Sequence, residues 1–213
     1  MFDFLSDMDL WKLNTVTDYL MFIGAIAAGL LVFAVIARYY GGLRDQNKAV
    51  KRVNKRLKML AKKPSQIYEN VTLRLPDGNQ TFDGVLLDRS GIFLIKTYGW
   101  GLKISGTPDG ETWKRTDRER EERFPNPLID LKKGVEGVQK VLEDKGIHKV
   151  KVMPMVVFAD TMDTPQLYLG YGSYSTIYQE MKNWYMKQSG VSTVQYDFER
   201  VHAVMKNEVI INK

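Results

Sequence analysis

An uncharged run of nineteen residues near the N-terminus, Tyr19–Ala37, constrains this chain more than any other feature of its sequence. The hydrocarbon core of a bilayer is about 30 Å thick, and an α-helix that rises about 1.5 Å per residue crosses it with roughly 20 apolar residues. The run has that length, and it is flanked by residues suited to the membrane interface, Tyr19, Tyr39 and Tyr40. We therefore expect a transmembrane helix over residues 19–38, preceded by a short extracytoplasmic segment of residues 1–18.

The charges on either side of the run predict its orientation. The preceding segment is acidic, with four aspartates against Lys12, which does not fit the basic start of a signal peptide. Lys and Arg are retained on the cytoplasmic side, so the basic residues after the run indicate an outside N-terminus and a cytoplasmic C-terminal domain. We expect a single-pass protein of the cell membrane. The basic residues are Arg38, Arg44, Lys48, Lys51, Arg52, Lys55, Arg56, Lys58, Lys62 and Lys63, and Asp45 is the one acid among them.

The basic segment, residues 39–63, also carries the pattern of an amphipathic helix. Apolar side chains recur at helical spacing within residues 46–62, at Val50, Val53, Leu57 and Leu60. We expect this stripe to pack on the soluble domain; the alternative is a helix that lies flat on the bilayer. Basic juxtamembrane residues bind anionic lipid, so membrane-surface contacts are expected from the cations of this helix, Arg44, Lys48, Lys51, Arg52, Lys55 and Arg56.

The net charge of +6 and the pI near 9.3 are weak indications of nucleic-acid binding in this chain. Most of the excess positive charge lies in residues 38–63, beside the expected span, and the charges beyond residue 63 nearly balance. The basicity is therefore explained by topology and lipid contact before any nucleic acid is needed.

The remaining residues, 64–213, have the length of one domain, and their pattern predicts both strands and helices. The dipeptide Asp77-Gly78 between alternating apolar runs is a strong hairpin signal. This order of elements predicts an α/β domain with three layers and a mixed central sheet. The expected strands are Val71–Leu75, Gln80–Asp88, Ile92–Thr97, short ones around Ile104 and Trp113, Val150–Phe158 with Pro154 near a sheet edge or at a bulge, and Leu167–Leu169. The expected helices are Leu128–Lys145, Tyr174–Gln188 and Tyr196–Ile211, and Thr116–Arg123 is expected to be an exposed loop.

Four local strings occur in a characteristic order: TFDGVLLDRSGIFLIKTYGWGLKISG over Thr81–Gly106, then Trp113, NPLIDL over Asn126–Leu131 and VVFAD over Val156–Asp160. Together they resemble the nuclease-related domain (NERD) family, a branch of the restriction-endonuclease-like PD-(D/E)XK fold. The resemblance covers roughly residues 46–160.

The resemblance implies a catalytic pattern that this chain keeps only in part. In the active fold, an Asp and a Glu on neighbouring strands hold a divalent cation, and a Lys two residues after the Glu stabilises developing negative charge. Asp83 matches the Asp, but Lys96 stands at the Glu position and Tyr98 at the Lys position, while Gly84 replaces the usual His. Hard cations require several oxygen ligands, so we expect an ion pair between Asp83 and Lys96 and no metal. Asp130 is the carboxylate that could rescue a metal site.

These expectations favour a membrane-anchored cytoplasmic domain that is catalytically inactive and binds a protein or a nucleic acid. It would need no cofactor. One alternative is a metal-dependent nuclease that uses Mg or Mn and acts on DNA at the membrane. Another is a subunit of a membrane assembly, in which the span pairs with another helix through its small residues, Gly24, Ala25, Ala28 and Gly29.

A cluster of tyrosines around Gly170 and Gly172 has two interpretations. Tyr168, Tyr171 and Tyr174 are expected to pack on the core. The alternative is a surface on which bases or a peptide stack.

Overall fold

The computed structural model describes residues 16–41, 45–117, 120–190 and 196–210. It divides the chain into two compact units, Met1–Leu43 and Arg44–Lys213. The first contains α1 (Val16–Gly41), in which Tyr19–Ala37 has a mean hydropathy of 2.7 and no buried residue. This helix is long and apolar enough to cross a membrane.

Within its described residues, the second unit combines four helices and ten strands. In chain order they are α2 (Gln46–Leu60), β1 (Ser65–Leu75), β2 (Gly78–Asp88), β3 (Gly91–Tyr98), β4 (Lys103–Gly106), β5 (Thr112–Asp117), β6 (Arg120–Pro125), α3 (Pro127–Asp144), β7 (Val152–Phe158), β8 (Gln166–Leu169), β9 (Ser175–Ile177), α4 (Met181–Gly190), α5 (Phe198–Glu208) and β10 (Val209–Ile210).

The central sheet is mixed and has the strand order β10-β1-β2-β3-β7-β9. Strands β1, β2 and β3 are antiparallel neighbours, whereas β7 runs parallel to β3 and β9 runs parallel to β7. The hairpin predicted at Asp77-Gly78 is present, because β1 and β2 pair up to Leu75 and Gly78. The α/β class and the mixed sheet are therefore confirmed.

Side chains alternate between the two faces of this sheet, and each face is covered by helices. Leu86 and Phe93 pack with residues of α2 and α4, whereas Val85 and Leu94 pack with residues of α3 and α5. The apolar stripe of α2 is buried, so the prediction that it packs on the domain is confirmed. Since the compact unit begins at Arg44, α2 folds as part of the domain rather than as a separate segment before residue 64.

A second sheet of four strands, in the order β6-β5-β4-β8, joins the core on the α3 side through Ile104, Trp113 and Phe124. The exposed loop predicted over Thr116–Arg123 is wrong, because β5 and β6 pair antiparallel across this region. Charged side chains stabilise the hairpin from its surface: Lys114 Nζ lies 2.5 Å from Glu121 Oε1. Every residue of β6 except Phe124 is exposed, so this strand shows no alternating apolar pattern.

Both predicted C-terminal helices begin or end at the wrong residue. The segment predicted as helix from Tyr174 starts as β9, which pairs with β7, and α4 begins at Met181. Similarly, α5 ends at Glu208 and is followed by β10, which pairs with β1.

The position of Pro154 near a sheet edge is confirmed, since β9 pairs only with Val156–Phe158 and so leaves Pro154 beyond it.

Candidate functional site

Asp83 and Lys96 face each other across β2 and β3. The register pairs Gly84 with Ile95, which places the preceding residue of β2 opposite the following residue of β3. Lys96 Nζ lies 3.6 Å from Asp83 Oδ1, and Asp83 Oδ2 accepts a hydrogen bond of 2.7 Å from the Thr97 backbone N–H. The ion pair predicted from the spacing around the β2–β3 turn is confirmed.

This arrangement does not fit the divalent cation that the active fold would hold. Both carboxylate oxygens of Asp83 already have donors, and one of these donors is itself a cation. Across the described ranges, no group of three or more His, Asp or Glu residues is close enough to hold a metal ion. A hard cation needs several oxygen ligands, and the strand pair supplies one carboxylate.

Tyr98, the last residue of β3, lies in a cluster of aromatic rings. Its ring packs against Trp100, Phe124 and Phe158, with centroids 4.8, 5.7 and 5.4 Å away. Burial, and to a smaller extent the charges of Asp83 and Asp130, together raise the pKa of Tyr98 to about 12. Asp130, in the first turn of α3, therefore acts on the same phenol as Asp83.

A cavity of about 600 Å³ opens beside the ion pair. It lies between the β1–β2 turn, the end of β3 and the first turns of α3, and Gln80 Nε2 donates to the Asp130 carbonyl at its wall (2.5 Å). Its volume falls within the range of ligand pockets, about 300–1,000 Å³. The charged side chains around it balance, with two lysines and two aspartates: Lys96, Lys133, Asp77 and Asp130.

Asn54 of α2 forms a hydrogen bond to the β2 backbone at the site. It is fully buried, and its Nδ2 donates to the Asp83 carbonyl at 2.8 Å. A Cβ atom on Gly84 would lie 2.3 Å from Asn54 Oδ1, so the two residues fit each other only while position 84 is glycine. Sequence reasoning missed Asn54; the available signal was a polar residue between Val53 and Leu57 on the buried side of an amphipathic helix.

Gln46, the first residue of α2, fixes the other strand of the site. Its Nε2 donates to the Thr97 carbonyl (2.5 Å), and its Oε1 accepts from the Gly99 backbone N–H (2.8 Å). The side-chain amide of Gln46 therefore binds both a carbonyl and an N–H group of the backbone at the end of β3. No pattern in the sequence indicated this contact, which joins residues 53 positions apart.

Asp88 serves a structural role on the opposite face of the sheet, as its position on β2 predicts. It is fully buried and accepts hydrogen bonds from the Ser90 N–H (2.7 Å), the Lys62 N–H (3.3 Å) and the Tyr185 hydroxyl. Burial, and then the hydrogen bond and charge of Asp88, raise the pKa of Tyr185. This carboxylate ties the end of β2 to α4 and to the chain after α2.

The three tyrosines around Gly170 and Gly172 are exposed, Tyr174 least so at 37%, and the expectation that they pack on the core is wrong. Tyr168 is 58% exposed and Tyr171 is 104% exposed. Tyr168 on β8 pairs with Ser105 on β4. Ser105 pairs with Lys114 on β5, and Lys114 pairs with Arg123 on β6. One aromatic ring and two cations therefore lie in a row across the outer face of the second sheet.

The basic residues predicted to contact a membrane surface separate into two groups. Lys48, Lys51 and Lys55 are exposed on α2. The guanidinium carbons of Arg52 and Arg56 instead lie 4.3 and 4.6 Å from the centroid of the Tyr178 ring. Arg44 lies outside the described residues.

Comparison with known families agrees with this architecture. The family model described as the nuclease-related domain matches residues 45–159, more than half of the 213 residues, and the match contains Asp83, Lys96, Tyr98 and Asp130. No curated protein and no solved structure matches the chain. The chain belongs to the nuclease-related domain family.

Proposed function

We propose that this chain is a membrane-anchored cytoplasmic member of its family, with a restriction-endonuclease-like fold, that binds a partner without cleaving it. The observation that carries the proposal is the Lys96 ammonium 3.6 Å from Asp83, at the position where an active enzyme would hold a divalent cation. A lysine there neutralises the carboxylate and repels the metal. The protein then needs no cofactor.

The anchoring part of the proposal is supported by α1 and by the charges that follow it. Tyr19–Ala37 has the length and hydropathy of a span, and basic residues follow it on the side expected to face the cytoplasm. Gly24 and Ala28 are four residues apart, as are Ala25 and Gly29, so each pair places two small residues on the same side of the helix. A second membrane helix is therefore a further candidate partner.

The binding part of the proposal is supported by two features of the domain, one beside Lys96 and one on the outer face of the second sheet. The cavity beside Lys96 and Tyr98 has the size of a ligand pocket. The row Tyr168, Ser105, Lys114 and Arg123 combines a ring on which bases can stack with the guanidinium of Arg123, which can attract phosphates, while Lys114 is paired with Glu121. We propose a protein or a single-stranded nucleic acid as the partner.

One observation favours the alternative of a metal-dependent nuclease. Asp130 lines the same cavity as Lys96, and Lys96 is paired with Asp83, so the two carboxylates belong to one region. If Lys96 moved away from Asp83, Asp130 would be the second carboxylate available for Mg or Mn. This arrangement is the second candidate function.

A cleavage assay separates the two candidates. The full chain in detergent is incubated with single-stranded DNA, double-stranded DNA or RNA, and with magnesium or manganese. We expect no turnover. Turnover that is lost in both Asp83→Ala and Asp130→Asn, but is kept in the control Asp144→Asn at the far end of α3, would establish the nuclease instead.

A binding assay tests the nucleic-acid partner. Fluorescence anisotropy of a labelled single-stranded oligonucleotide is measured against the full chain. We expect Tyr168→Ala to weaken binding by about 1–3 kcal/mol, the value of one stacked base, and Tyr168→Phe to retain it because the ring remains. If neither substitution changes the affinity, or if the oligonucleotide does not bind at all, nucleic acid is excluded as the partner and a protein remains.

A further inference from the structure

The outer face of α2 carries a continuous stripe of lysines. Lys48, Lys51, Lys55 and Lys58 follow one another at spacings of three, four and three residues, which places them along one side of the helix, and all four are exposed. The residues that α2 buries against the sheet lie on the opposite side. We call these four residues the lysine stripe.

The charge of the lysine stripe is not compensated within the described residues. No acidic residue occurs between Gln46 and Leu60, and none of the ion pairs among the described residues involves these four lysines. The nearest carboxylate along the chain, Asp45, caps the helix by accepting from the Asn47 and Lys48 backbone N–H groups (2.8 and 3.2 Å). The stripe thus presents four positive charges over about 15 Å of helix.

The two arginines of the same helix, Arg52 and Arg56, contact the rest of the domain. Both guanidinium groups lie over the Tyr178 ring, and Arg56 also donates to the Gln179 carbonyl at 3.4 Å. They hold α2 against the segment that follows β9. The structure therefore distinguishes cations that fix the helix to the domain from cations that face outward.

We propose that the lysine stripe binds the anionic headgroups of the membrane and holds the domain against its surface. This inference rests on the proposed membrane anchoring. Only residues 38–45 separate the apolar run from α2 in the sequence, so a span over Tyr19–Ala37 keeps α2 at a high effective concentration near the headgroups. Each Lys close to an anionic leaflet is attracted to it, and the attraction falls off within a Debye length.

The exposed apolar side chain of Met59 gives a position for a probe on the same side of α2. Met59 is 71% exposed, and the chain contains no cysteine, so Met59→Cys can carry a single fluorophore without changing the charge. Gln139→Cys, exposed on α3 across the sheet, is the matched control position. The full chain is reconstituted into vesicles of phosphatidylcholine, with or without phosphatidylserine, and quenching by headgroup-labelled lipid is measured.

We expect quenching at Met59→Cys to rise about twofold or more when phosphatidylserine is present, and to fall back in high salt. The rise should disappear when Lys48, Lys51, Lys55 and Lys58 are all changed to Gln, and should persist when they are changed to Arg. It should also persist in a variant with the same loss of charge elsewhere, with Gln at the exposed residues Lys103, Lys140, Lys145 and Lys206. Gln139→Cys should show no rise.

Equal quenching in the two lipids, or equal loss in the two charge-matched variants, would overturn the inference. Because the stripe is exposed, the Lys→Gln changes remove no core contact, and an unchanged tryptophan fluorescence spectrum verifies the fold. A failure of the anchoring itself gives a different result, since alkaline washing would then release the chain from both kinds of vesicle.

Discussion

Lys96 places a positive charge beside Asp83, at the position where we propose that an active relative would hold a metal ligand. The carboxylate receives Lys96 Nζ on one oxygen and the Thr97 N–H on the other. The side chains of Asp83 and Lys96 are 15% and 39% exposed, so solvent screens part of their attraction. Partly exposed ion pairs contribute modestly, and the pair therefore does more to exclude a cation than to stabilise the fold.

A double-mutant cycle measures the pair directly. With Asp83→Asn and Lys96→Met, we expect a coupling free energy of about 0.5–1 kcal/mol, because the attraction is screened. Urea unfolding of the full chain in detergent, followed by tryptophan fluorescence, gives the four free energies. Purely additive losses would show that the two side chains do not interact.

Tyr98 should remain protonated at a pH where ordinary tyrosines ionise. Its pKa is raised from 10.0 to about 12 in the folded protein, so its share of the free energy of unfolding is constant below pH 10 and falls as the pH approaches 12. The ultraviolet difference between wild type and Tyr98→Phe during alkaline titration isolates this phenol. Because burial is the largest cause, Asp83→Asn should lower the pKa only in part, and a return to 10.0 would contradict that order of causes.

The docking of α2 sets the geometry of the candidate site at the level of elements. Gln46 holds the end of β3, Asn54 holds the backbone of β2, and both belong to one helix. A shift of α2 would therefore move both strands that carry the ion pair. Gly84 permits this close approach, since any side chain there meets Asn54.

Gly84→Ala tests that approach. We expect a loss of about 1–3 kcal/mol in the free energy of unfolding, because the new methyl group overlaps Asn54 Oδ1 in a packed interface. The loss should be smaller in an Asn54→Ala background, where the overlap is removed. Gly190→Ala is the control, since nothing lies within 4 Å of its added Cβ atom. Equal losses in both backgrounds would show that Asn54 does not restrict position 84.

The sequence predicts those elements whose signals are local. The Asp77-Gly78 turn, the helix after Pro127 and the pairing of Asp83 with Lys96 all follow from short-range spacing, and the structure contains them. In contrast, β9 has three residues and exists because it pairs with β7, a partner that periodicity cannot reveal. Asn54 and Gln46 escaped notice for the same reason, since their partners lie on distant strands.

At the scale of the whole molecule, the distribution of charge around the apolar run predicts its orientation in a membrane. We expect protease added to inverted vesicles to digest the domain, and protease added to intact cells to leave it whole, because the basic residues after Ala37 remain in the cytoplasm. A tag at each end of the chain identifies the surviving fragment. The reverse pattern of protection would show that the orientation is wrong.

Titration of Mn²⁺ into the purified full chain shows whether Asp83 holds a metal ion. We predict no binding that depends on Asp83 in wild type, and new binding in Lys96→Glu, which restores two facing carboxylates. That new binding should be lost again in Lys96→Glu combined with Asp83→Asn. Stoichiometric binding by wild type that Asp83→Asn abolishes would contradict the account.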